Sequence, residues 1–166
     1  MENSGTLIQV FDPESSIKRA EKVKAQKPKW AIVTSSGRIT WENRMERIAI
    51  IRKGLPYDAI EFIGAKANLP IKQLLLYMGV AQTTYNKKKR EHDLLNERDS
   101  EMILVLSEVL DFGLLVFNNE KDKFQRWLKK PNLSLGGMAP ESLFDCFTGI
   151  QEVHNALNRL EYGNMA

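Results

Sequence analysis

The sequence is poor in the groups that enzymes and metalloproteins rely on. Its 166 residues include one cysteine, Cys146, and two histidines, His92 and His154. A lone thiol forms no intramolecular disulfide and fits a reducing compartment. The histidines lie far apart, and neither has a metal-ligand neighbour at helical spacing, so no metal and no cofactor are expected. His154 adjoins Val153 and reads as a surface or satisfied core residue. Cys146, close to Phe144 and Phe147, reads as a small buried thiol rather than a nucleophile. Gly136-Gly137 lacks the spacing of a phosphate-cradling loop. No run reaches the ~18 apolar residues of a membrane span. The N-terminus shows no apolar core followed by a cleavage site, so no signal peptide is expected. These absences exclude the enzyme class and make the cytoplasm the expected location.

What is present is a divided charge. The net charge of +3 hides 17 Lys/Arg against 10 Asp/Glu in residues 1–93, and 7 against 11 in residues 94–166. The halves carry +7 and −4. Such asymmetry points to an anionic partner for the first half and a different partner for the second.

Residues 1–29 are polar, and Lys18, Arg19, Lys22, Lys24, Lys27 and Lys29 make a basic arm. Trp30–Thr34, a Ser-Ser-Gly turn and Ile39–Trp41 predict a small hairpin. From Trp41 the pattern turns helical, with Trp41, Met45, Ile48 and Arg52 on one face and Gly54 as the stop. A second helix from Pro56 to Ala67 buries Ile60, Ile63 and Ala67, ends at Asn68, and is followed by one opened by Pro70.

Residues 71–90 carry the clearest pattern of the first half. A helix Ile71–Met78 turns Leu74, Leu75 and Met78 inward and breaks at Gly79, and a polar helix starts near Gln82. This is the spacing of a helix-turn-helix. Gln82, Thr83, Thr84 and Asn86 are side chains suited to base edges. Lys87, Lys88, Lys89 and Arg90 are suited to phosphates. Two positions depart from the usual motif: Leu75 stands where a small residue lets the helices close, and Lys88 where an apolar residue is common.

Asn96 caps a long helix with Glu97 and Asp99 in its first turn. Met102, Val105, Leu106, Val109, Leu110, Gly113, Leu114 and Phe117 form its stripe. The stripe is broad enough for a central buried helix, and a coiled-coil seam is the alternative. Phe124, Trp127 and Leu128 share the face of the next helix, which Pro131 ends at Lys130. Asn132 to Gly137 form a tight corner, and Pro140 opens a short helix, Glu141–Phe147, burying Leu143, Phe144 and Phe147. Gly149 separates it from a last helix, Ile150–Leu160, with Ile150, Val153, Leu157 and Leu160 on one stripe. The fold class is all-α, the hairpin apart.

The order Arg126-Trp-Leu-x-x-Pro-Asn-x-x-Leu-Gly-Gly-x-x-Pro140, followed by Leu143, Gly149, Val153, Leu157 and Arg159-Leu-Glu-x-Gly163, resembles the C-terminal toxin-binding domain of Xre/ParS/MbcA-type antitoxins. Arg52-Lys-Gly-Leu-Pro56, Met78-Gly-Val80, Thr84-Tyr85 and Leu95–Glu101 resemble the helix-turn-helix (Cro/Xre-like) portion of the same antitoxins. The resemblance covers about residues 45–163. Phe144-Asp-Cys-Phe147 departs from the threonine found near this place in many members.

The resemblance implies a type II toxin–antitoxin system with a RES-type toxin that consumes NAD⁺ and is neutralised by covering its active-site entrance. It implies toxin contacts at Leu157, Leu160, Glu161 and Tyr162, presented by a framework of Trp127, Pro131, Asn132, Leu135, Gly136 and Gly137. The expected division is a basic arm (1–40), a DNA-binding and dimerisation region (41–118) and a toxin-binding domain (119–166). Joined to the charge pattern, this gives a homodimer that represses its own operon by binding operator DNA. The alternatives are a plain regulator whose C-terminal domain dimerises, and an interaction protein that has lost DNA binding.

Overall fold

Local signals set most element boundaries in the computed structural model, which describes residues 30–163. The basic arm of residues 1–29 lies outside the described residues. Seven α-helices and a two-stranded sheet are present among them, so the all-α expectation holds except for the hairpin. Strands β1 (Trp30–Thr34) and β2 (Gly37–Trp41) pair antiparallel with Trp30 opposite Trp41 and Thr34 opposite Gly37. The two indoles stack at 6.3 Å. Ile32 and Trp41 are buried, and β1 packs on the second and fifth helices. A boundary at residue 40 therefore cuts through one folded unit: the hairpin belongs to the core and not to an arm.

Helix α1 (Arg44–Lys53) opens on the N-cap Asn43, with Glu46 reaching back to the residue before the cap. The Asn43 side chain accepts from the Glu46 amide at 3.0 Å, and the Glu46 carboxylate accepts from the Glu42 amide at 2.8 Å. Trp41 follows strand alternation and not the helical period, and Met45 is 73% exposed. The face expected through Trp41, Met45 and Arg52 is thus replaced by half-buried Ile48, Ile50 and Ile51. Gly54 ends the helix at φ +85°, and a Cβ there would lie 2.7 Å from the Leu95 carbonyl oxygen. Only glycine meets both demands.

Helix α2 (Ala59–Ala67) buries Ala59, Ile60, Ile63 and Ala67 and ends on left-handed Asn68. Helices α3 (Ile71–Met78) and α4 (Gln82–Arg90) follow. Helix α5 (Glu97–Val116) is capped by Asn96, whose side chain accepts from the Asp99 amide at 2.8 Å. At ~1.5 Å per residue it is about 30 Å long. Its buried positions include Met102, Ile103, Leu104, Leu106, Val109 and Leu110. That is wider than a coiled-coil seam, and α1, α2, β1 and both C-terminal helices pack against it. Two serines on α5 are buried with partners: Ser100 Oγ accepts from the Leu55 amide at 3.0 Å, and Ser107 Oγ from Lys66 Nζ at 3.2 Å.

Asn118 and Asn119, both at positive φ, stop α5. Helix α6 (Lys121–Lys129) buries Phe124 and Leu128. A 3-10 turn at Leu133–Leu135 and another at Pro140–Leu143 precede α7 (Phe147–Tyr162). Two expectations are corrected here. The segment after Pro140 is a single 3-10 turn and not a helix reaching Phe147. The last helix begins at Phe147, with Gly149 inside it, because a Cβ on Gly149 would stand 2.1 Å from the Leu143 carbonyl oxygen. Gly149 serves close packing and does not break the helix. The buried apolar residues form one core cluster from Ile32 to Leu157.

Gly113 makes the tightest contact with an aromatic ring: a Cβ there would lie 2.2 Å from the Phe124 ring. Gly113→Ala is expected to cost about 2 kcal/mol by overpacking, lowering the thermal midpoint by roughly 6 °C. Adding Phe124→Leu to it should recover part of that loss in the same melting experiment.

Candidate functional site

Two surfaces carry the expected functional residues. The first is the α3–α4 unit. Leu74, Leu75 and Met78 are buried, so Leu75 packs inward despite its size. Gly79 adopts left-handed φ +68°, and the Val80 amide donates to the Leu75 carbonyl at 2.9 Å. Helix α4 then leaves Gln82, Thr83, Thr84 and Asn86 exposed, with Gln82 Nε2 donating to Asn86 Oδ1 at 3.1 Å.

The basic run divides. Lys87 and Arg90 are exposed and take no ion pair among the described residues. Lys88 Nζ pairs with Asp93 at 2.5 Å, and Lys89 pairs with Glu61 on α2. Asp93 holds the Lys88 ammonium above its ordinary range, first through their hydrogen bond. Glu61 also accepts from the buried Tyr85 hydroxyl at 2.9 Å. The Lys89 hydrogen bond holds the Glu61 carboxyl below the usual range, while burial and then Glu61 push the Tyr85 phenol up. Glu61 and Tyr85 thus seat α4 against α2. Sequence reasoning missed both, since residues 24 apart and unlike in type carry no local signal.

The second surface is the corner after α6. Asn132 organises it: its side-chain oxygen accepts from the Ser134 amide at 3.0 Å and hydroxyl at 2.9 Å. Its carbonyl accepts from the Leu135 and Gly137 amides at 3.0 and 2.9 Å, and its own amide donates to the Met138 carbonyl at 3.0 Å. Gly136 and Gly137 take φ +66° and +81°. Leu135 is buried, and Pro131 leads out of α6 as its sequence position requires. Trp127 is half-buried, 5.8 Å from the Phe117 ring and 6.2 Å from the Phe124 ring. Asn132 to Gly137 thus form one hydrogen-bonded corner whose 3-10 turn packs on α7, and Trp127 stands beside it on α6, lining a cleft with Pro131 and Asn132.

On α7 the expected contacts separate. Leu157 is fully buried and belongs to the core, so it offers no surface to a partner. Leu160 is half-buried, and Glu161 and Tyr162 are exposed. Cys146 is corrected as well: its thiol is exposed and caps α7, accepting from the Gly149 amide at 3.4 Å. His154 is half-buried, 5.1 Å from the Phe112 ring, with Nδ1 3.0 Å from Asn158 Nδ2. Burial lowers its pKa from the ordinary 6.5, against the opposing pull of Glu108. Among the described residues no group of three or more His, Cys, Asp or Glu is placed to hold a metal ion. None of their helices is long and apolar enough to cross a membrane.

Residues 113–163 match the family described as the antitoxin Xre/MbcA/ParS C-terminal toxin-binding domain. Curated relatives agree. Antitoxin Xre of Photorhabdus laumondii is 29% identical over 115 residues, covering 69% of this chain and 78% of the relative. Antitoxin Xre of Yersinia enterocolitica is 28% identical over 113 residues, covering 68% and 76%. A protein of a Sphingobium species named Prs ADP-ribosylating antitoxin is 27% identical over 130 residues, covering 74% and 82%. Together these similarities support an Xre/MbcA/ParS-type antitoxin, with the toxin-binding domain at residues 113–163. A cognate toxin is its implied partner.

The lowered His154 pKa sets a pH dependence. As pH falls below 6.5 the unfolded chain takes up this proton before the folded one, so stability is lost through the window between 6.5 and the lower folded value. Melting midpoints measured between pH 5 and 7.5 should decline on the acid side. His154→Gln should flatten that part of the curve.

Proposed function

We propose that this antitoxin neutralises a RES-type, NAD⁺-consuming toxin through the exposed end of α7, and represses its own operon as a homodimer through α3–α4. The observation that carries the first part is the pairing of exposed Glu161 and Tyr162 (69% exposed) at the end of a helix anchored by fully buried Ile150, Val153 and Leu157. A carboxylate and a phenol held beyond a rigid apolar stripe suit entry into a polar nucleotide-binding cleft. Leu160, half-buried beside them, would sit at the edge of that contact.

The second part is supported by the left-handed turn at Gly79 and the exposed row Gln82, Thr83, Thr84 and Asn86. The recognition helix of such a unit lies in the major groove, and two-fold pairing matches palindromic half-sites. With Lys88 and Lys89 held by carboxylates, Lys87 and Arg90 are the phosphate contacts. A second reading, an interaction protein without DNA binding, draws on those same two ion pairs. It requires equal affinity for operator and random DNA across a salt series.

The test is co-expression with the product of the adjacent gene, scoring growth rescue and co-purification. Glu161→Ala/Tyr162→Ala should lose rescue without changing the melting midpoint; retained rescue would place the block elsewhere. Lys87→Ala/Arg90→Ala should weaken operator binding and lower the salt slope by about 2, at ~0.9 per phosphate contact, while rescue persists. Loss of both functions together in a folded variant would contradict the division.

A further inference from the structure

The acidic second half concentrates its positive charge in one place. Of the seven Lys/Arg in residues 94–166, five lie between Lys121 and Lys130. Lys123, Arg126, Trp127 and Lys130 follow i, i+3, i+4, i+7 spacing and share one side of α6 and its end. With Phe117, Pro131 and Asn132 they line a cleft of about 390 Å³. Lys123 is paired with Glu120 at 2.6 Å, whereas Arg126 and Lys130 take no ion pair among the described residues. Directly beyond the cleft stands Leu133, 95% exposed, and Met138 is 49% exposed across the corner.

A leucine so exposed is unremarkable on a loose loop. Here the Asn132 hydrogen bonds and the two left-handed glycines fix the backbone on both sides of it. The side chain is therefore held out in water at no saving of chain entropy. Rigid apolar anchors ringed by charge are how protein interfaces are built.

We infer that the α6 face and the Leu133 corner form a second toxin contact, docking an acidic surface of the toxin that carries an apolar depression for Leu133. This rests on the antitoxin reading above and extends it to a surface separate from the end of α7. Two observations choose the occupant. The face lies within residues 113–163, which match a toxin-binding domain. A nucleic acid would use the cations but has no use for Leu133 and Met138. The cations steer an acidic partner in, and the leucine holds it.

The experiment uses the full chain and the purified product of the adjacent gene, with association and dissociation rates measured at low and high salt. Lys123→Glu/Arg126→Glu/Lys130→Glu should slow association about 10- to 100-fold at low salt and flatten its salt dependence. Leu133→Asp, at an exposed site that cannot disturb the core, should weaken binding by about 30-fold, mainly by faster dissociation. Operator affinity should stay within about twofold for both variants, the triple variant having kept its melting midpoint. Unchanged toxin rates in both variants would overturn the inference while leaving the antitoxin reading intact. So would a triple variant that loses operator affinity and keeps the toxin, which would assign the cations to DNA. If the unaltered chain does not bind the neighbouring product at all, the reading of that pair fails and this surface fails with it.

Discussion

The ring of Phe124 lies so close to the backbone of α5 at Gly113 that no side chain fits between them, and the C-terminal third of the molecule hangs from that contact. It fixes the height at which α6 crosses α5. The Phe117 and Trp127 rings then close around Phe124, at 5.6 and 6.2 Å. Pro131 can only turn the chain away, and Asn132 folds the corner that sends it back. A second close approach, Gly149 against the Leu143 carbonyl, sets α7 down on α5 again. Two glycines without room for a methyl group thus clamp both ends of one corner.

This geometry makes the two proposed surfaces neighbours on one core and not separate modules. Helix α5 supplies buried residues to the hairpin, α1 and α2 on one side, and to α6 and α7 on the other. Cutting the chain after Asn118 would strip α7 from α5 and leave Ile150, Val153 and Leu157 without their seat. Surface substitutions at Glu161, Tyr162 or Leu133, all exposed, leave this core in place; truncation at a sequence-level boundary does not. The match to the toxin-binding family begins at Gly113, inside the last turn of α5, in keeping with a helix shared by both halves.

Sequence reasoning read the helix ends well because caps are local. Asn43 was one exception, since with Trp41 drawn into the helical period the start of α1 was misplaced and Met45 turned inward; the turn after Pro140 and the start of α7 at Phe147 were the others. Asn68, Gly79, Asn96 and Pro131 act within a few residues of where they stand, and each fell as expected. The Trp127-to-Gly137 corner was legible for the same reason, being held together by Asn132 and its own loop. Burial on α7 was less so. A helical stripe tells which residues share a face, and it does not tell which end of the face emerges from the protein. Leu157 and Leu160 look alike in sequence, yet the first is core and the second half-exposed. Cys146 was misread because its aromatic neighbours suggested burial, when its position at the helix start made it a cap.

The run Lys87 to Arg90 shows how far composition can carry an argument before geometry must take over. Four successive cations cannot share one side of a helix, since each step rotates about 100°. Lys89 turns back toward α2 and meets Glu61, which the Tyr85 hydroxyl also reaches. That carboxylate stays ionised over a wider range because of Lys89, so its stabilisation is in place above 4.5 and is lost as pH falls through the depressed value. Lys89 is therefore a fixture of the α2–α4 contact before it is a charge offered to any partner. Removing it disturbs the seat of α4 along with the charge, whereas removing Lys87 or Arg90 changes charge alone. The same logic explains why an anionic partner of this half would be met by fewer side chains than its net charge implies. Two charges of the +7 excess are met inside the fold by acids of the second half, Arg47 by Glu108 and Lys66 by Asp111, while Lys88 and Lys89 are held by acids already counted in that sum.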